Sequence, residues 1–539
     1  MKAPHIQLAL RYFNDLAGRF PVMCASDEFH FLPRAQAASE YYDRLDDLGV
    51  ITINEYVEQL RSFSQELDLL TAGEKDLETL IDLDLLKANI AGILIELEQN
   101  KSWRHNPLLY LKIAFVGIDH ALTKPATDAR ERIHRTLKRI SAIPKLLNQA
   151  VDNINGVPET YHQAARAMLH DGKQYFVKTV DEFCKQYPDF FSEGFQKALT
   201  ALNDFDKYLK NIPPVPDHRF EIPSLEASLK DHFLSVLSVD EVFQIAVDEW
   251  QENLNQLEKL QSKIDPRQSW QDLYHDFCPD LAEMDTFALY RRETELLRQF
   301  FRNHGFREED LCAPLEITAT PYYLRSVRSA ASFGAAFSSD AREKSFFYIT
   351  TRLPQNESRG HEDDLLKKRL HREYKFLTAH ETIPGHHLLD SIRRSLENPV
   401  RRQIESPLFY EGWAYYAESL LTEIGYVQNP MEYLVDYKRR LWRSARCQID
   451  VGLHAGFLTL ADAVELLTTA GFSREEAQRQ IYRFQLNPGY QLCYSLGRYE
   501  IMRLKKAYEN QMGSEQFHAF LLEGGELPFH WIEKKISGS

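Results

Sequence analysis

The sequence predicts a mainly α-helical protein with one small β-sheet, and three features carry that reading. Up to about residue 310, Leu and Ile recur at three- and four-residue intervals over long segments, the spacing of a single helix face. Past Asp310 come short segments rich in Thr, Ile, Phe and Tyr, bounded by Pro or Gly, which read as strands. Helical periodicity then resumes. With 44% hydrophobic and 27% charged residues, the composition is that of an ordinary globular protein.

Taken in order, residues 77–101 (LETLIDLDLLKANIAGILIELEQNK) keep helical periodicity over several turns. Residues 131–154 repeat the pattern, punctuated by Pro144. Residues 212–223 (IPPVPDHRFEIP) hold four prolines in twelve positions, a density that excludes helix and predicts an extended connector. Ser238 with Glu241 three residues on predicts the capped start of a helix reaching Ile264. LEITATPYYLRS (315–326) and SFFYITTR (345–352) are the expected strands. No internal repeat or low-complexity run occurs. Length alone suggests three or four domains. The organisation expected here is simpler: an N-terminal helical lobe over 1–310 and a second lobe over 311–539 with the sheet.

The chemistry concentrates between Thr378 and Glu418. His380-Glu381 is followed by Pro384-Gly385, then His386-His387, and Glu411 lies 25 residues beyond His386. Two imidazoles and a carboxylate, with a fourth position open to water, form the donor set of a catalytic zinc site. A second carboxylate beside the metal can take a proton from that water. The spacing is not H-E-x-x-H, because position i+4 from His380 is Pro384. On a regular helix His386 would sit roughly 120° around from His380, and His387 would be aligned but about 10 Å further along. Pro384 and Gly385 together predict a break that swings one of them back. Spacing alone leaves His386 and His387 as alternatives.

HETIPGHH followed by YEGWAYYAE resembles the bacterial DUF885 family, whose members carry HE-x-x-PGH and then EGWA-x-Y-x-E. The second segment is also similar to the EGFA-x-Y segment of aminopeptidase-N-type (gluzincin) zinc enzymes. The resemblance continues in RRLWRSARCQIDVGLH and NPGYQLCYSLG and is much fainter before residue 310. It implies a helical, two-lobed metallopeptidase-like body with Zn²⁺ held by His380, His386 and Glu411, and Glu381 as general base. His387 maps to no obligatory position and is expected beside the site. Where the family usually has Gln, this chain has Leu389.

Further candidates flank this stretch. Arg443, Arg446, Asp450 and His454 fall at i, i+3, i+7 and i+11, so one helix face carries all four amid apolar residues. A polar stripe so enclosed predicts burial and pairing. From it we expect His454 to stabilise an oxyanion and Asp450 to orient a ligand histidine. Tyr494, with Tyr490 as the weaker option, is placed over the metal as a donor to the tetrahedral intermediate. Glu418 lies nearly two turns from Glu411 on the same face and is expected behind the ligands. Arg443, Arg446 and Arg498 are expected either to pair with nearby acids or, where one is free in the cleft, to hold a substrate carboxylate through its planar fork.

The net charge of −15 argues against a general nucleic-acid surface. No apolar run reaches transmembrane length. MKAPHIQLALRYFNDLAGRF has no sustained apolar core of a signal peptide, and the six scattered cysteines are expected reduced and buried; both features predict a cytoplasmic protein. The reading is therefore a zinc hydrolase of short peptides, of carboxypeptidase or dipeptidase type. Its alternatives are a hydrolase of a non-peptide amide and a non-catalytic helical binding protein with a degenerate site. Oligomeric state is not encoded in these features.

Overall fold

Ser238 and Glu241 form both halves of a capping box, and the helix they open runs over Val239–Ile264 as expected. The structure, a computed structural model, describes residues 2–188, 193–217, 222–281, 284–338, 340–352 and 360–538. Helices dominate these residues from Pro4 to Ser537. The segment beginning at Leu77 is helical to Leu94, then widens into a π-turn over Ile95–Asn100 and ends at Lys101 in the left-handed region. Pro144 lies inside a continuous helix, Ala129–Asn153, and does not end it.

Two small sheets interrupt the helices. Within the proline-rich connector, β2 (Pro214–Val215) pairs in parallel with β1 (Val157–Pro158), so this stretch is extended as its prolines require. Residues 218–221 of the connector lie outside the described residues. The second sheet holds β3 (Leu315–Ala319), β4 (Ala331–Gly334) and β5 (Ser345–Ile349) in the order β3-β5-β4. β3 runs parallel to β5, and β4 antiparallel to it. The sequence predicted β3 and β5 but not β4, whose Ala-Ser-Phe-Gly lacks the β-branched residues that mark a strand.

One apolar core extends from Leu8 to Ile532 and takes in residues on both sides of position 310. A smaller cluster around Tyr290, Phe347, Ile349 and Leu370 backs the sheet. The helix Val239–Ile264 packs along the helix Pro430–Ala455, joining the two halves of the chain. The N-terminal segment is bound in the same way: Arg34 pairs with Asp390 at 2.8 Å and its N–H donates to the Gln403 carbonyl at 2.8 Å. Among the described residues no helix is long and apolar enough to cross a membrane. All six cysteines are free; Cys24, Cys447 and Cys493 are buried, Cys184 is half-buried, and Cys278 and Cys312 are exposed.

Candidate metal centre

The helix Tyr374–Glu381 ends on His380 and Glu381. It stops there because Pro384 has no N–H to donate and disfavours helical dihedrals in the residue before it. The chain crosses Thr382–Gly385, with the Ile383–Pro384 peptide cis, and a new helix starts at His386. Gly385 lies flat on the end of the first helix, its N–H donating to the Ala379 carbonyl at 2.9 Å. A Cβ at this position would fall 2.0 Å from the His380 carbonyl oxygen, so no larger residue fits without displacing backbone. Trp413, fully buried, donates its indole N–H to the Pro384 carbonyl at 2.8 Å and fixes the crossing from the other side. The break brings the His386 ring back to within 4.7 Å of His380, centroid to centroid, and near perpendicular to it.

Glu411 arrives on the helix Pro407–Glu423. Gly412, its neighbour, meets Gly497 of the helix Leu492–Met512 so closely that a Cβ on either would lie under 3 Å from the other's backbone. This contact seats Glu411 against Tyr494. The hydroxyls of Tyr490 and Tyr494 donate to Glu411 Oε1 at 2.7 and 2.9 Å. The other oxygen, Oε2, points at the histidines and stands 3.5 Å from Nε2 of His380 and 3.5 Å from Nε2 of His386.

These distances suit a metal better than a hydrogen-bond network. Ligands at ~2.0–2.2 Å in a tetrahedron are separated by about 3.4 Å along each edge. Glu411 Oε2 is buried without a hydrogen-bond partner, a costly arrangement unless something else satisfies it. His380, Glu381 and His386 are all buried and present ligand atoms within 4.8 Å of one another, so this group can hold a metal ion. Glu381 accepts no hydrogen bond from the described residues and opens on the large cavity beside the histidines. Burial opposes ionisation of Glu411, but the adjacent imidazoles of His380 and His386 hold its pKa well below the usual carboxylate range.

Behind His380 stands a buried chain of charges. His380 Nδ1 lies 2.9 Å from Glu418 Oε1, and Glu418 also accepts hydrogen bonds from Arg439, at 2.7 Å, and from Arg443. Arg439 continues to Glu373, which accepts from Tyr274 as well and from Arg369 at 3.1 Å. Burial works against the Glu418 charge, but Arg439 and Arg443 keep its pKa well below normal. For His380, burial and then Arg443 press the pKa down, and the neighbouring carboxylates of Glu411 and Glu418 outweigh them and leave it raised. A carboxylate on the far nitrogen of a ligating histidine fixes its tautomer and raises its basicity. Glu418 stands at that nitrogen of His380.

The remaining expectations divide. His386 rather than His387 faces His380; His387 is turned to the Ala313 carbonyl, 3.0 Å from its Nε2, and burial lowers its pKa to about 4. Asp450 does not reach a histidine of the site. It accepts from the backbone N–H groups of Gly489, Gln491 and Leu492 at 2.9, 2.7 and 3.2 Å, and its nearest imidazole is His454 at 3.4 Å. Neither Asp450 nor His454 lines the cavity. The reason is axial rise: His454 lies 11 residues beyond Arg443, or about 16 Å along the helix. Tyr494 is held on Glu411, not poised with a free hydroxyl. Arg498 also lies off the cavity, bonded to Ser419 at 3.1 Å and 3.5 Å from Glu249. Arg443 is taken by Glu418. Arg446 alone of the three expected arginines reaches the cavity without a carboxylate partner.

The site opens into a cavity of 2210 Å³. One wall is β4, the edge strand, contributing Ala331, Ser332 and Phe333. Phe333 stacks 6.3 Å from His386. From the N-terminal segment come Asp27, Glu28, His30 and Arg34. His30 stacks on Tyr490 with centroids 4.2 Å apart, and burial lowers its pKa to about 4. The sequence offered no signal for His30 or Arg34, which stand some 350 residues before the histidine motif, nor for Glu373. Arg439, by contrast, lies one turn before Arg443 and extends the same stripe.

Comparison with known proteins places this geometry in a family. The model described as "Bacterial protein of unknown function (DUF885)" matches residues 33–536. Two solved structures share the fold. A candidate lipoprotein of unknown function from Shewanella oneidensis superimposes with a TM-score of 0.76 at 18% identity, over 99% of this chain and 100% of that one. A candidate lipoprotein from Colwellia psychrerythraea gives 0.76 at 17% identity, over 99% and 98%. Comparison with curated proteins finds no match.

Proposed function

Because the chain belongs to the DUF885 family, bacterial proteins of unknown function, we propose a function from the site itself: a zinc-dependent hydrolase of peptide bonds. The observation that carries it is the convergence of His380 Nε2 and His386 Nε2 on Glu411 Oε2 at 3.5 Å, with the unbonded Glu381 carboxylate alongside. Two imidazoles and one carboxylate are the donor set of His₂Glu zinc hydrolases. A divalent ion held by these three residues would supply Lewis acidity and lower the pKa of water.

The chain's own groups have distinct tasks in this proposal. Tyr490 and Tyr494 hold Oε1 of Glu411 so that Oε2 faces the histidines. Glu418 orients His380. Glu381 accepts a proton from the attacking water at a carboxylate oxygen and returns it to the departing amine. β4 presents an unpaired strand edge beside His386, where an extended peptide can add as a further strand. The cavity is larger than the ~300–1,000 Å³ of ordinary small-molecule pockets, which favours a peptide over a small amide. The cell envelope is a proposed location, since both similar structures are described as candidate lipoproteins.

Digestion of a peptide library by the zinc-loaded protein, read by mass spectrometry, tests the activity. Glu381→Gln is expected to keep the metal and lose about 10²–10⁴ in kcat. An unchanged kcat in that variant would remove Glu381 from the chemistry.

A further inference from the structure

The chain as a whole is acidic, with 79 Asp and Glu against 64 Lys and Arg. The cavity wall is the reverse: sixteen lysines and arginines line it against nine aspartates and glutamates. Half of these cations are held in ion pairs, as Arg34 is with Asp390, Lys112 with Glu28, and Arg439 and Arg443 with Glu418. Arg446 and Arg483 belong to the other half: among the described residues neither has a carboxylate within ion-pair distance, and of that half Arg446 lies against Tyr494, beside Glu411.

Arg446 donates to the Gln491 side-chain oxygen, with Nε at 3.0 Å, and lies over the Tyr494 ring, 4.1 Å from its centroid. Arg483 donates to the Arg328 carbonyl. Gln491 and the Arg328 carbonyl orient the two forks without neutralising them. Both side chains are half-buried and line the cavity. Burial, followed by repulsion from Arg369 and Arg446, lowers the pKa of Arg483 to about 10. Burial also lowers that of Arg446, and Arg443 adds to it. A half-buried guanidinium left without an acid is costly, and two facing one cavity are costlier still.

We propose that Arg446 and Arg483 form an anion subsite that binds a carboxylate of the substrate, one aromatic ring away from Glu411. The ring is that of Tyr494, whose face carries Arg446 and whose hydroxyl holds Glu411. Placed there, the subsite anchors the C-terminal α-carboxylate of a peptide whose last amide bond lies at the candidate metal centre. Two guanidinium forks match a carboxylate bidentately. An acidic side chain near the peptide terminus offers the same chemistry from a second source. The assignment rests on the hydrolase reading for its direction along the peptide, but not for the binding itself.

The test is equilibrium binding to the full chain as purified, by calorimetry, with three N-acetylated tripeptides. One ends in a free carboxylate, the second is its C-terminal amide, and the third is an amide with a glutamate side chain at the last position. The free acid is expected to bind at least 10-fold tighter than the plain amide. Arg446→Gln and Arg483→Gln are each expected to abolish that preference with the melting temperature unchanged. If the glutamyl amide recovers the affinity, the carboxylate source is the side chain; if it binds like the plain amide, the source is the terminus. Equal binding of all three peptides, or a preference that survives both substitutions, overturns the subsite. Hydrolysis is scored separately. A carboxylate preference without turnover in the zinc-loaded protein keeps the subsite and rejects the hydrolase reading, and turnover without the preference does the opposite.

Discussion

The helix Pro430–Ala455 carries two buried polar clusters about 10 Å apart along one stripe, and they serve different ends. At Arg439 and Arg443 the partner is Glu418, whose other contact is His380. At Asp450 the partners are three backbone N–H groups of the turn at Gly489–Leu492. The first cluster reaches the candidate metal centre directly. The second shapes the turn from which Tyr490 and Tyr494 reach Glu411. Polarity, burial and spacing are alike in the two, so the stripe in the sequence cannot distinguish them; the identity of the partner does.

Removing each partner separates the clusters. Glu418→Ala leaves Arg439 and Arg443 buried beside an unoriented His380. It is expected to cost about 3–5 kcal/mol of stability in chemical denaturation, and to weaken zinc binding about 10–100-fold in chelator competition. An unaltered zinc affinity would sever the link between this cluster and the metal. Asp450→Ala removes the acceptor of three N–H groups, which can rebond only partly to water. About 2–3 kcal/mol is expected in the same denaturation assay, with metal content unchanged. Should Asp450→Ala lower the metal content as far as Glu418→Ala does, the contrast between the clusters collapses. The smallest effect is expected at Arg498, which contacts Ser419 and Glu249 away from the cavity. Arg498→Met should shift stability by about 1 kcal/mol and leave kcat/KM on free-acid peptides as it was. A loss of kcat/KM there would return Arg498 to the substrate.

What could be read from the sequence follows from chain separation. HETIPGHH is local chemistry: Pro384 ends one helix, Gly385 permits the close crossing, and the return of His386 follows from those two residues. The EGWA segment was legible as a motif, but the role of Gly412 appears only against Gly497, 85 residues away. β4 was hidden because Ala331–Gly334 holds one strand-forming residue, Phe333, among three small ones, and its place is set by pairing with β5. The N-terminal side of the cavity, with His30 on Tyr490 and Arg34 on Asp390, was invisible because no local pattern encodes a contact across more than 350 residues. The apolar core takes in residues on both sides of position 310.

Metal content per chain tests the central claim most directly. Elemental analysis of protein purified with zinc, followed by dialysis, is expected to give one equivalent for the wild type and for His387→Ala. His380→Ala, His386→Ala and Glu411→Ala should each fall to a small fraction of that value. The account is contradicted by a wild-type chain that retains no zinc, or by His386→Ala keeping its metal while His387→Ala loses it.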